Sequence, residues 1–176
     1  MTDKTYNVLF LCTHNSARSV MAECLLRRWG AGRFNAFSAG SFPSGTVNPH
    51  TIATLKAFNH KTDGLRSKSW DEFAQAGTPV MDFVFTVCDQ TAGELCPVWP
   101  GAPLTAHWGV EDPAAAGGGE DKTMKAFRRA YVELESRIKI FSSLRVEALD
   151  NLTLQSSLHL IGTVRGPQDE AQPTGA

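Results

Sequence analysis

The feature that most constrains this chain is a short apolar run over residues 6–11 that ends on a bare thiol, Cys12, with Arg18 six positions further on. A run that brief, with no polar alternation, suits a strand buried on both faces, as in a parallel sheet. Parallel strands need helical crossovers, and the next segments supply them. Residues 16–29 put Met21, Cys24 and Leu25 on one face of a helix and Glu23, Arg27 and Arg28 mostly on others. Residues 35–39 read as a second strand, closed by Gly40 and the turn-rich GSFPSGTVN. Asn48 before Pro49 predicts an N-cap with proline at the first helical position, opening a helix that carries Ile52, Leu55 and Phe58. Ser69, three residues before Glu72, has capping-box spacing for a short helix that Gly77 and Pro79 stop. Residues 83–87 form a third apolar strand running into Cys88, and residues 104–107 a fourth. Met124, Phe127, Tyr131, Leu134 and Ile138 recur at helical spacing, so residues 121–141 predict the longest helix. Residues 151–161 predict one more, with Asn151 as its cap. Strands alternating with helices define an α/β fold: a single domain with a four-stranded, mostly parallel sheet and helices on both faces.

A chain of 176 residues that is 42% hydrophobic supports one packed core. The domain is expected over residues 1–164, with an extra helical segment at about 144–164 and a polar, proline-bearing tail at 165–176 expected to be disordered. A net charge of -1 gives no basic face for nucleic acid and no polybasic segment for an anionic membrane. No apolar run is long enough to span a bilayer, and the N-terminal residues lack an export signal, so a cytoplasmic protein away from membranes is expected; a monomer is expected too, though nothing in the sequence fixes the oligomeric state. In that reducing compartment the four cysteines are each a buried thiol, a metal ligand or a reactive group. No cysteine pair, with or without His107, has the short ligand spacing of a structural zinc site, so no metal is expected. Cys24 reads as a core thiol, His14 as a solvated loop residue, and Trp99 and Trp108 as lid or packing residues.

In open parallel sheets, ligands bind beyond the carboxyl ends of the strands. Cys12 follows the first strand, Cys88 the third, and Asp112 lies in the loop after the fourth. If Thr13, His14, Asn15, Ser16, Ala17 and Arg18 curl around a centre, their backbone N–H groups point inward and the following helix adds its positive end. Arg18 can then grip two oxygens through its planar fork. The same field is expected to depress the pKa of Cys12 and present a nucleophilic thiolate. Ser16 and Ser19 are expected to donate to its sulfur, and Asn15 to hold the loop's shape. The implied ligand is a tetrahedral oxyanion.

These motifs resemble the superfamily of low-molecular-weight phosphotyrosine phosphatases and thioredoxin-coupled arsenate reductases. CTHNSARS is similar to the reductases' phosphate loop, SAG at residues 38–40 to a second shared element, and HWGVEDPAAAGG to their Asp-Pro loop, over residues 6–141 or so. The resemblance implies Cys12 as nucleophile, Arg18 as oxyanion holder and Asp112 as general acid. Phosphatases of the superfamily usually follow Asp-Pro with aromatic residues, whereas Ala114, Ala115 and Ala116 stand here, and Cys88 with Cys96 resembles the reductases' paired cysteines. The implied reaction is reduction of arsenate to arsenite through a Cys12, Cys88, Cys96 thiol-disulfide relay, serving arsenic detoxification. Phosphate or sulfate would compete, no cofactor would be bound, and thioredoxin or glutathione with glutaredoxin would be the external reductant. The rival reading is a phosphatase that hydrolyses phosphate monoesters through a cysteinyl-phosphate; a third is a non-catalytic oxyanion-binding or redox-sensing module. Four departures stand out, the first being the seven residues between Cys88 and Cys96, an interval slightly longer than the reductases lead one to expect. His14 occupies a position where many relatives have glycine. Ala17 stands where phosphatases often carry a second loop cysteine. Ser67, Lys68 and Ser69 offer no carboxylate where some reductases use one to bind potassium.

Overall fold

The structure, a computed structural model, describes residues 4–88 and 99–165. Its strands are β1 (Tyr6–Cys12), β2 (Phe34–Gly40), β3 (Phe83–Thr86) and β4 (Leu104–His107), all parallel, in the order β2-β1-β3-β4. Its helices are α1 (Arg18–Trp29), α2 (Pro49–Ala57), α3 (Asp71–Ala74), α4 (Glu120–Ser143) and α5 (Asn151–Ile161), with 3-10 turns at Pro113–Ala115 and Val146–Ala148. The expected fold class is therefore the observed one.

β1 lies inside the sheet and its residues 8–12 are buried, which is why its sequence shows no polar alternation. Strand geometry splits its side chains between two cores. Val8, Phe10 and Cys12 join Phe34, Phe83, Phe85 and Val87 in a large core with residues of α1, α4 and α5. Leu9 and Leu11 join Ala39, Val84, Met81, Phe73 and Trp99 in a smaller one on the opposite face. Trp108, fully buried, stacks on Phe85 with ring centroids 3.9 Å apart and donates its indole N–H to Leu158 O at 3.0 Å. Both Trp108 and Trp99 are thus packing residues, and Cys24, 3% exposed, is a core thiol.

Local signals differ from expectation in three places. Helix α1 begins at Arg18, two residues later than its pattern suggests, because Ser16 O is already bonded to Asn48 N and the Thr51 hydroxyl and cannot start a helical ladder. Before α3, Ser69 Oγ accepts from Asp71 N, but Glu72 pairs with Arg66 instead of reaching back, so the capping box is only half made and the helix is one turn long. The cap of α5 is Asp150, whose carboxylate accepts from Thr153 N at 2.7 Å, with Asn151 already helical.

Candidate active site

Register brings the separate reactive groups together. Cys12 pairs with Gly40 of β2, and Leu11 pairs with Thr86 of β3. Val87 N then bonds Leu11 O, so Cys88 follows directly beside the end of β1. β4 continues alongside through Trp108 N to Thr86 O and Val110 N to Val87 O, which delivers Asp112 to the same rim. Cys12 and Cys88 are both buried free thiols in hydrogen-bond contact. Thr13 Oγ1 lies 3.5 Å from Cys88 Sγ.

The loop over residues 13–18 is shaped from outside. Thr13 O accepts from Phe42 N, His14 O from Ser44 N and the Ser67 hydroxyl, and Ser16 O from Asn48 N and the Thr51 hydroxyl. In a trans peptide the C=O and the following N–H point in opposite directions. The N–H groups of His14, Asn15 and Ala17 are therefore turned toward the concave side. The curvature is made at Asn15, whose φ of 49° is left-handed, and not at His14. Asn15 is fully buried; its amide donates to Ser19 Oγ (2.8 Å) and Ser38 Oγ (3.0 Å) and accepts from Lys68 N (2.9 Å). Gly40 is needed alongside: a Cβ there would stand 2.5 Å from Thr13 O and 3.0 Å from Asn15 N. This gives the SAG element a physical role, Ser38 holding the Asn15 amide and Gly40 admitting the loop.

Arg18 stands on the rim with its side chain 12% exposed. Nη1 donates to Val110 O at 2.8 Å, Nη2 lies 3.8 Å from Asp112 Oδ2, and Nε is buried without a protein partner. Asp112 is partly exposed, accepts from Ala114 N and opens the 3-10 turn of Pro113–Ala115. His14 is an exposed loop residue whose ring nitrogen lies 3.2 Å from Phe42 O. Cys96 lies outside the described residues.

The electrostatics of Cys12 correct one expectation. Its pKa is raised, not depressed: the hydrogen bond with Cys88 comes first and burial second, and together they outweigh Arg18 and the Thr13 N–H, which pull the other way. Neither Ser16 nor Ser19 ranks among the groups that dominate at the sulfur; Ser19 Oγ instead accepts the Asn15 amide. The loop field was legible in the sequence, whereas the opposing thiol acts only through the register of β1 and β3.

Behind the loop, Lys68 Nζ lies 3.9 Å from Glu23 Oε1, with side chains 9% and 5% exposed. Burial pushes Glu23 up and Lys68 down, each opposed by the other's charge. The region where some reductases use a carboxylate for potassium thus holds the chain's own ammonium facing Glu23, and these residues do not fit a potassium ion. Among the described residues no group of three or more His, Cys, Asp or Glu side chains is placed to hold a metal. No helix among them is long and apolar enough to cross a membrane.

A parallel sheet whose inner strand ends on a buried thiol, followed by a tightly turned loop and an arginine at the start of a helix, defines a class of α/β proteins with a cysteine-centred loop. Residues 7–151 match the low molecular weight phosphotyrosine protein phosphatase family, and the chain belongs to that family. Among its relatives is a protein of Halalkalibacterium halodurans named arsenate reductase, 33% identical over 135 residues, which are 77% of this chain and 94% of that protein. A solved arsenate reductase in the phosphate binding state superposes with a TM-score of 0.65 at 26% identity, covering 79% of this chain and 98% of its own. The thioredoxin-dependent arsenate reductase of Corynebacterium glutamicum superposes with a TM-score of 0.57 at 25% identity, covering 80% of this chain and 62% of its own.

Proposed function

We propose that this protein reduces arsenate to arsenite, with arsenate held in the loop of residues 13–19 by the backbone amides and Arg18. The observation that carries this reading is the contact between the Cys12 and Cys88 thiols at the foot of the loop. Reduction of As(V) to As(III) takes two electrons, and two thiols closing to a disulfide supply two. Hydrolysis of a phosphate ester has no use for a second thiol beside the nucleophile.

In the first step Cys12 Sγ bonds to arsenic, and an arsenate hydroxyl leaves as water with a proton from Asp112, which the Cys12 proton restores. In the second, Cys88 attacks Cys12 Sγ. The S–S bond forms as the S–As bond breaks, its electron pair stays on arsenic, and arsenite departs with the Cys88 proton passing to its oxygen. Cys96 next attacks Cys88, freeing Cys12 and leaving a Cys88–Cys96 disulfide for an external reductant, thioredoxin or glutathione with glutaredoxin. The thioredoxin-dependent relative favours the former. Phosphate and sulfate, of the same shape, compete for the loop. The setting that suits this chemistry is the cytoplasm, where thiols are kept reduced.

The test is NADPH consumption with arsenate, thioredoxin and thioredoxin reductase, repeated with glutathione and glutaredoxin, beside aryl phosphate hydrolysis by wild type and Cys88→Ser. Arsenate-dependent turnover abolished in Cys88→Ser, with residual phosphatase activity kept, is the expected result. Phosphatase turnover with no arsenate reduction refutes the proposal. Absence of any Cys12-dependent activity replaces it with a binding module.

A further inference from the structure

The acid loop is held by a residue that the proposed chemistry does not use. Arg137 of α4 is 1% exposed and spends its guanidinium on four acceptors. Nη1 donates to Trp108 O (2.8 Å) and Gly109 O (3.0 Å), Nη2 to Glu133 Oε1 (2.8 Å), and Nε to Val164 O (3.0 Å). The next carbonyl, Val110 O, is the one that Arg18 grips. Three consecutive carbonyls leading to Asp112 are thus each fixed by an arginine, one from α4 and one from the start of α1.

The fourth acceptor lies on the segment beyond the residues that match the family. That segment is fastened to β4, to the turn after it and to α4. Gln155 Nε2 donates to Thr105 O at 2.7 Å, Trp108 Nε1 to Leu158 O, and Arg165 reaches Glu133 Oε1 at 3.4 Å. Gly162 sits so close that a Cβ would lie 2.6 Å from His107 O and 3.0 Å from the Trp108 ring. A cavity of about 190 Å³, lined by Pro113, Ala116, Ala126, Arg129 and Ala130 among others, leaves the acid loop room to fall back toward α4.

We propose that Arg137 is a positioning residue that sets Asp112 over the oxyanion loop, and that the C-terminal segment, through Val164 and Gly162, completes its clamp. The inference rests on the reading of Asp112 as the acid. Misplacing a reacting group by an ångström costs on the order of 100-fold in rate, and residues acting through one another are non-additive.

The experiment is a double-mutant cycle on the full chain, read as single-turnover disulfide formation with arsenate, which needs no external reductant. Arg137→Met is expected to slow turnover by about 100-fold in the native background and by less than about 3-fold in Asp112→Asn. Arg137→Lys, which keeps the charge facing Glu133 but not the planar fork, recovers part of the rate, and Gly162→Ala repeats the Arg137→Met pattern. Urea midpoints and near-ultraviolet dichroism establish that each variant is folded. If Arg137→Met slows both backgrounds by the same factor, or leaves the rate unchanged, the clamp is overturned. If Asp112→Asn alone retains full activity, the acid assignment fails first and takes the clamp with it. If wild type forms no disulfide with arsenate, the proposed reaction fails, and the same cycle on aryl phosphate hydrolysis decides the clamp.

Discussion

Asn15 offers the sharpest check on how the loop is held, because its side chain and its backbone make separable contributions. Its three hydrogen bonds, to Ser19, Ser38 and Lys68, are each worth roughly 1 kcal/mol. An alanine held at the left-handed φ of 49° costs about 1 kcal/mol more. Asn15→Ala should therefore destabilise the fold by about 4 kcal/mol. Asn15→Gly loses the same bonds and escapes the left-handed penalty but carries glycine's own entropy cost of roughly 0.5–1 kcal/mol, so the two variants should lie within about 0.5 kcal/mol of each other. At an ordinary position nothing offsets that cost, and glycine is worse than alanine by roughly 0.5–1 kcal/mol. Urea unfolding in reducing buffer measures both variants, and calorimetric titration with phosphate reads the loop itself, where both should bind more weakly than wild type. An alanine variant within about 1 kcal/mol of wild type, or a glycine variant worse than the alanine one by roughly 1 kcal/mol, would refute the account.

Two further outcomes follow from the buried charges. Because the Cys88 hydrogen bond is the largest influence raising Cys12, Cys88→Ala should move the alkaline limb of Cys12 alkylation, followed by mass spectrometry against pH, to lower pH; an unmoved limb would assign the shift to burial alone. Lys68→Met leaves buried Glu23 with Arg27, 3.6 Å away, as its remaining ion-pair partner, so the carboxyl rises further and folding should lose about 2–3 kcal/mol at pH 8. With a folded-state pKa above the unfolded one, that deficit is full at high pH and shrinks as pH falls toward the ordinary glutamate range, so a deficit independent of pH would count against the pair.

How much of this was legible depends on the range of the interaction. The strands and helices were readable because β1 is buried on both faces and α4 carries a sustained helical period, both of which write themselves into neighbouring residues. The loop was readable for the same reason, since Cys12, Asn15 and Arg18 act within seven residues of one another. What could not be read were contacts set by the sheet's register or made across it. Nothing local in Lys68 announces that its backbone holds the Asn15 side chain 53 residues away, nor in Arg137 that it grips the turn carrying Asp112. The error at Cys12 has the same origin. The sequence around it argues for a thiolate, since the loop amides, the helix and Arg18 all favour negative charge. Cys88, 76 positions later, places a second thiol against the first and reverses the balance. In the proposed reaction that reversal has a use. A thiol already hydrogen-bonded to the nucleophile stands beside the sulfur it must attack to release arsenite, so the contact that makes Cys12 harder to ionise also shortens the path to the disulfide.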